Sequence, residues 1–270
     1  MTGTPPGRRI LLLRHGERVD RVFSNQKDWV DKSFMPYCVY KRLDTNMPRI
    51  LPLRSKDPEM NYDVADYNFD VPLTAVGEGS AEALGLKNGN VSTDHLWPLK
   101  IDAGLFDFCG FNEYLFSGIP IFLEPAWMNK RGILMSTTYK PSMTRDNLEP
   151  GESMQAFYSR VEKAMKHILN ENTRPHPKLG NPSILIATHA PFVDTACQVL
   201  LKQPPRDDER MKNVANYLKY IGTLALEEEA KDKWRLIPPP VRTFRYATND
   251  KFEVKKVFKD ALGVRDEDED

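Results

Sequence analysis

Residues 9–18 have the sequence Arg-Ile-Leu-Leu-Leu-Arg-His-Gly-Glu-Arg, in which a short apolar run is followed at once by charged and small residues. Residues 183–191 repeat this plan, with Ser-Ile-Leu-Ile-Ala-Thr before His-Ala-Pro. Continuous apolar runs of this length are typical of buried strands in parallel sheets. Because ligands bind outside the carboxyl ends of such strands, we expect His15 and His189 to share one site.

Strands and amphipathic helices alternate along the rest of the chain and decide the predicted fold class. The clearest helix is Gly151–Asn170, whose apolar side chains recur on one face at helical spacing. Thr74 is a suitable N-cap for a helix that ends near Lys87. We predict an α/β fold, a three-layer sandwich with a mostly parallel central sheet. The remaining predicted elements are a helix from Pro191 through Leu201 and strands at Thr223–Glu227 and Trp234–Ile237.

Composition excludes several classes of function. The chain has 270 residues with 38 basic and 38 acidic side chains, so no global basic field would attract nucleic acid or an anionic membrane surface. No apolar stretch approaches the length of a membrane span. The 3 cysteines are widely spaced and lack a C-x-x-C pair, which favours a reducing compartment, and we therefore expect a cytoplasmic protein.

The neighbours of His15 suit phosphoryl transfer. A neutral imidazole nitrogen can accept a phosphoryl group, and the guanidinium groups of Arg14 and Arg18 match phosphate oxygens in pairs. Gly16 would let the backbone come close to an anion. The reaction also needs an acid to protonate the leaving oxygen, a task that suits an Asp or Glu. No spacing resembles a zinc or two-metal site, so we expect neither a metal nor another cofactor.

An Arg-His-Gly-Glu motif after one strand and a second histidine after a later strand resemble the signature of the histidine phosphatases, the phosphoglycerate-mutase-like superfamily. The resemblance covers roughly residues 8 to 250 and is strongest to one branch, the phosphatase domain of the suppressor-of-T-cell-receptor-signalling proteins, to which insect ecdysteroid-phosphate phosphatase is similar. The matching segments include Asn46-Met47-Pro48, Pro72-Leu73-Thr74 with Gly77, Gly104-Leu105-Phe106-Asp107-Phe108, Thr137-Thr138-Tyr139-Lys140-Pro141, Ile184–Ala190 and Tyr220-Ile221-Gly222.

The resemblance implies a role for each matching residue. His15 would be the nucleophile, and Arg14, Arg18 and His189 would bind the phosphate. Asp107 stands where the family has a glutamate as general acid, and its side chain is one methylene shorter. The implied organisation is a disordered N-terminus at residues 1–8, a histidine phosphatase-like domain at residues 9–258, and a charged, disordered tail at residues 259–270.

The chain departs from the family between Asn88 and Lys100. The family has there a strand, a turn and an arginine-bearing stretch that leads into a helix. This chain has no arginine in the interval, where His95 and Lys100 are the remaining cationic candidates. The resemblance therefore predicts a fold that lacks one strand-helix unit and a phosphate pocket that lacks one donor.

Two functions from different classes remain open. The first is a phosphomonoesterase that works through a phosphohistidine on His15, with a phosphotyrosine protein or a small phosphate ester as substrate. The second is a pseudophosphatase that keeps the pocket for binding or regulation. Phosphoglycerate mutase activity is a weaker third option. The oligomeric state is open, with a homodimer as one alternative, and we expect His95, His167 and His176 to be solvent-exposed.

Overall fold

The computed structural model describes residues 7–18, 73–88, 98–111, 118–119, 122, 124–130, 132–173, 181 and 183–240. The predicted helices and strands that fall in these ranges are present. The elements in chain order are β1 (Arg9–Arg14), α1 (Ala75–Asn88), α2 (Pro125–Lys130), α3 (Met154–Glu171), β2 (Ser183–Thr188), α4 (Ala190–Leu201), α5 (Asp208–Tyr217), β3 (Thr223–Ala230) and β4 (Lys233–Ile237).

The four strands form one sheet in the order β2-β1-β3-β4. β1 pairs in parallel with β2, from Arg9 opposite Ser183 to Arg14 opposite Thr188. β3 is antiparallel both to β1 and to β4. The described sheet is therefore mixed, and the expectation of a mostly parallel sheet is corrected in this respect.

The direction of β3 follows from the two helices between it and β2. One crossover helix returns the chain to the start of the sheet, where a parallel strand begins. Here α4 is followed by α5, which brings the chain back to the carboxyl end of β1. Leu218, just beyond α5, accepts a hydrogen bond from Arg14 Nη1, and the Ile221 amide donates to the His15 carbonyl over 3.3 Å. β3 must therefore run down the sheet from that end.

The core lies between the sheet and the helices α3 and α4. α3 begins after Ser153, whose hydroxyl accepts a hydrogen bond from the Ala156 amide, and it buries the predicted apolar face, including Phe157. α4 is buried along almost its whole length and packs against α3. Phe157, Phe192 and Ile10 are all 0% exposed, so both helices and the central strand β1 meet in one apolar cluster.

α1 is fastened to the segment that carries His15. As predicted, Thr74 is its N-cap, and the Thr74 hydroxyl accepts a hydrogen bond from the Gly77 amide over 3.0 Å. The same hydroxyl donates to Glu17 Oε1 over 2.8 Å, and the Thr74 amide donates to the Glu17 carbonyl over 2.9 Å. The motif at the end of β1 therefore sets the start of α1.

Several predictions fall on residues outside the described ranges. Residues 1–6 and 241–270 lie outside, and they include most of the predicted N-terminal tail and the whole predicted C-terminal tail. Arg8, the last residue of the predicted N-terminal tail, is described, and its Nε donates to Glu228 over 2.6 Å. His95 and His176 lie outside as well, as does most of the interval in which a strand-helix unit was expected to be missing. No helix among the described residues is long and apolar enough to cross a membrane.

Candidate active site

His15 lies directly after β1, at the edge where β1 and β2 end. Its amide donates to the Thr188 carbonyl over 2.8 Å, so the backbone of the two strand ends is joined at this point. The ring nitrogen Nδ1 is 2.7 Å from the Gly16 carbonyl oxygen. Because a carbonyl oxygen can only accept, Nδ1 must carry a proton, and in a neutral ring the lone pair is then on Nε2.

His189 stands beside His15 and is the N-cap residue of α4. The centroids of the two imidazole rings are 4.9 Å apart, and the ring planes meet at 67°. A single tetrahedral anion can contact two rings at this separation. The structure therefore brings together the two histidines that follow the two apolar runs.

The pocket favours neutral imidazoles. Burial lowers the pKa of His15 well below its ordinary value, and the proximity of His189, Arg14 and Arg18, which disfavours a second positive charge at this point, lowers it further. Burial also lowers the pKa of His189, against the opposing effect of the Asp107 carboxyl. Arg18 and Arg14 add to the lowering at His189. At neutral pH both rings are therefore uncharged, and His15 Nε2 keeps its lone pair.

The two predicted arginines reach the pocket in different ways. Arg14 is buried, and its Nη1 donates to the carbonyl oxygens of Ala215, over 3.0 Å, and of Leu218. Its guanidinium carbon lies 4.0 Å from the centre of the Tyr220 ring. Arg18 forms a backbone bridge with Leu73, and its charge acts on both histidines. Both arginines thus contribute positive potential at the place where a phosphate would bind.

Asp107, the predicted general acid, faces His189. Its side chain is 9% exposed, and its Oδ2 lies 3.4 Å from His189 Nδ1. Its Oδ1 accepts a hydrogen bond from the Phe108 amide over 2.9 Å, which fixes the carboxyl plane. The aspartate, despite its shorter side chain, is therefore held beside His189, the ring that lies next to His15.

Three neighbouring residues were not singled out by sequence reasoning. The Tyr220 ring lies 5.7 Å from the His15 ring, and the Phe106 ring lies 5.5 Å from the His189 ring. Both belong to segments that match the family, which was the available signal. The third residue is Arg160, which donates to the Asp107 carbonyl oxygen. No signal in the sequence pointed to it, because it interrupts an otherwise apolar helix face.

Gly16 has a different neighbour from the one expected. A Cβ atom at Gly16 would lie 2.7 Å from the Gly77 carbonyl oxygen, and one at Gly77 would lie 2.2 Å from the Glu17 carbonyl oxygen. The two glycines allow the backbones of α1 and of the His15 segment to touch. Room for α1 thus accounts for Gly16, and its approach to an anion stays a prediction.

The other described candidates lie away from the histidine pair. His167, expected to be solvent-exposed, is partly buried, and its Nε2 is 2.8 Å from the Lys140 carbonyl oxygen. The ring is therefore only partly exposed, because α3 lies against the segment that contains Lys140. Among the residues that the structure describes, no three His, Cys, Asp or Glu side chains are grouped to hold a metal.

The chain has the phosphoglycerate-mutase-like fold, and its histidine pair is the one that the resemblance to the histidine phosphatases led us to expect. Its homologues lie in the branch that the sequence motifs resemble. Ecdysteroid-phosphate phosphatase of Drosophila melanogaster is 27% identical, in a match that covers 91% of this chain and 34% of that protein. Human ubiquitin-associated and SH3 domain-containing protein A is 26% identical, with 90% of this chain and 39% of that protein covered.

A solved structure of an insect phosphatase is similar to this chain as well. The ecdysone phosphate phosphatase of Bombyx mori, in complex with tungstate, superposes with a TM-score of 0.62 at 26% identity, covering 93% of this chain and 99% of that one. No family model matches the chain. The chain spans about a third of the Drosophila relative, so the activity of that whole protein does not transfer with the match.

Proposed function

We propose that the chain is a phosphomonoesterase that works through a phosphohistidine on His15. One observation carries the proposal: the Gly16 carbonyl fixes the proton on Nδ1 of His15, and the second histidine ring lies 4.9 Å away. The nucleophilic atom would be Nε2. The lowered pKa of His15, caused first by burial, keeps this atom unprotonated at neutral pH.

The first chemical step is transfer of the phosphoryl group to the enzyme. His15 Nε2 forms a bond to phosphorus as the ester P–O bond breaks, and the electron pair of that bond goes to the leaving oxygen. The Asp107 carboxyl supplies the proton that this oxygen takes up. Arg14, Arg18 and His189 stabilise the charge on the equatorial oxygens of the transferring group.

The second step returns the enzyme to its starting state. A water molecule attacks phosphorus, and the P–N bond to His15 breaks with its electron pair returning to Nε2. The Asp107 carboxylate accepts the proton of the water, and orthophosphate leaves. The contact between Asp107 and His189 suits this cycle, because the group that exchanges the proton lies beside a ring that would also contact the phosphate.

The proposed substrate is a phosphate monoester, either of a small molecule or of a tyrosine in a protein. The names of the insect relatives favour a steroid phosphate. The tungstate in the Bombyx mori protein is a phosphate-like oxyanion, and we propose an equivalent anion site between His15 and His189 here. We propose a cytoplasmic location and no metal requirement.

One observation favours the alternative, a weak phosphatase or a pseudophosphatase. Arg14 Nη1 donates to two backbone carbonyls, and these bonds compete with a phosphate for the guanidinium group. Anion binding would survive this competition better than catalysis, because preorganised charge matters most where charge develops in the transition state.

The test is turnover of an aryl phosphate by purified protein, with His15→Ala as the diagnostic variant and His167→Ala as the matched control. We expect His15→Ala to lose activity by about 10³-fold or more and His167→Ala to keep it. Radiolabelled substrate should leave an acid-labile, base-stable phosphate on His15. Vanadate binding without turnover would support the pseudophosphatase, and equal activity in all three proteins would refute the nucleophile.

A further inference from the structure

One buried arginine holds the loop that carries Asp107. Arg160 of α3 donates through Nη1 to the carbonyl oxygens of Gly104, over 3.0 Å, and Phe106, over 2.9 Å. Its Nη2 donates to the carbonyl oxygen of Asp107 over 2.8 Å. A loop has no ladder of its own to satisfy its carbonyl groups, so these three bonds determine its path.

Glu152 completes the arrangement. Its carboxylate accepts from Arg160 Nε and Nη2, each over 2.7 Å, and Oε2 also accepts from the Cys109 amide over 3.3 Å. The Arg160 and Glu152 side chains are 5% and 8% exposed. Every N–H group of the guanidinium thus has an acceptor, the condition under which a buried ion pair is tolerated.

The loop is fixed from its other side as well. The Thr188 hydroxyl, at the end of β2, donates to the Leu105 carbonyl oxygen. The backbone carbonyls from Gly104 through Asp107 are therefore all hydrogen-bonded, without belonging to a strand or to a long helix. Such a backbone can hold a carboxyl group in one place, as precise catalysis requires.

We propose that Arg160, together with Glu152, is a positioning residue that sets the Asp107 carboxyl for proton transfer to the leaving oxygen. The inference rests on the proposed function. Arg160 itself does not contact the substrate in this scheme. It acts through the backbone of Asp107, whose side chain lies 3.4 Å from His189, and of Phe106, whose ring also packs on His189.

Proton donation matters only for a poor leaving group, and this separates positioning from general support of the fold. A phenolate made stable by nitro groups leaves without a proton, whereas unsubstituted phenol leaves slowly unless its oxygen is protonated. If Arg160 positions Asp107, its loss should lower kcat/KM, which reports the steps up to release of the leaving group, far more for phenyl phosphate than for dinitrophenyl phosphate. Removing Asp107 itself should give the same pattern.

The diagnostic variant is Arg160→Met combined with Glu152→Met, which removes both charges and keeps an apolar volume, a change that buried ion pairs often tolerate. The matched control is Asp194→Met combined with Arg206→Met. That pair has a buried carboxylate and a partly buried guanidinium and is doubly hydrogen-bonded, over 2.7 and 2.9 Å, but it fastens the segment after α4. Arg160→Lys serves as the conservative variant and Asp107→Asn as the reference.

We expect the diagnostic variant to lose about 10²-fold in kcat/KM on phenyl phosphate and less than about tenfold on dinitrophenyl phosphate, with unchanged inhibition by vanadate. Arg160→Lys should recover part of the loss, and the control pair should keep both activities. Amide hydrogen exchange at Leu105, Phe106 and Phe108 should become faster in the diagnostic variant alone.

Three results would overturn the inference: an equal loss on both substrates, an equal loss in the control pair, or unchanged amide exchange. If Asp107→Asn shows no dependence on the leaving group, its role as the acid fails and the inference fails with it. If the wild-type chain has no His15-dependent turnover, the proposed function fails instead. Amide exchange then decides alone whether Arg160 fixes the loop.

Discussion

The proton on His15 illustrates what a single hydrogen bond adds to a motif. The sequence places a histidine after a strand, between two arginines, but it does not determine which ring nitrogen carries the proton. The Gly16 carbonyl, 2.7 Å from Nδ1, makes that choice. The assignment of Nε2 as the nucleophilic atom therefore depends on the local path of the backbone, which a motif does not encode.

We predict that Arg18→Met raises the pKa of His15, because it removes one of the positive charges that lower it. Proton NMR titration of the ring, assigned with His15→Ala, should show the midpoint moving toward the ordinary histidine value of about 6.5. The acid limb of kcat/KM should move to higher pH in the same variant. An unmoved midpoint would show that the charge of Arg18 does not act on His15.

The described elements show how far the sequence could predict this fold and site. The helix over Met154–Glu171 follows from its spacing of apolar residues, and the cap at Thr74 follows from residue type. The antiparallel direction of β3 does not follow, because it depends on where α5 ends in space. The role of Arg160 does not follow either, since the loop carbonyls to which it donates lie more than fifty positions away in sequence.

Two glycines of α1 form a matched pair for testing how the helix meets the His15 segment. Gly77→Ala would place a Cβ 2.2 Å from the Glu17 carbonyl oxygen, whereas a Cβ at Gly79 has nothing within 4 Å. We expect Gly77→Ala to lower the free energy of unfolding by about 1–3 kcal/mol. Gly79→Ala should raise it by about 0.5–1 kcal/mol, the ordinary gain of alanine in a helix.

Urea denaturation measures both changes, and vanadate inhibition reports on the pocket. Only Gly77→Ala should weaken vanadate binding, because only that change moves α1 against the backbone of Glu17, next to the proposed anion site. Equal stabilities of the two variants would show that the contact between α1 and Glu17 yields without cost. Weakened vanadate binding in Gly79→Ala would indicate that helix stability, rather than this contact, controls the pocket.

At the scale of the whole molecule, the candidate site is expected to lower the free energy of unfolding at acidic pH. Two imidazoles are kept neutral by burial and by nearby positive charge, in a pocket at the edge of the sheet. Elsewhere in the fold, buried charge is paired, as at Asp194, whose carboxylate accepts two hydrogen bonds from Arg206. Functional sites commonly hold such perturbed groups, and the rest of the chain must stabilise them.

The stability of the whole protein should therefore depend on pH through His15 and His189. Both have a lowered pKa in the folded state, so below about pH 6.5 the unfolded chain binds protons that the folded chain does not. The free energy of unfolding must then fall as the pH falls, by at most about 1.4 kcal/mol per pH unit for each ring. The loss ends below the lowered pKa values, where the folded protein is protonated as well.

Urea denaturation of the wild-type chain and of His15→Gln combined with His189→Gln, at a series of pH values from about 7 down to 5, tests this expectation. The other histidines, His95, His167 and His176, are present in both chains, so their contributions cancel in the difference. The stability of the variant relative to the wild type should rise steadily as the pH is lowered. A difference that stays constant over this range would mean that the two rings titrate in the folded protein as ordinary histidines, and the neutral nucleophile at His15 would lose its electrostatic basis.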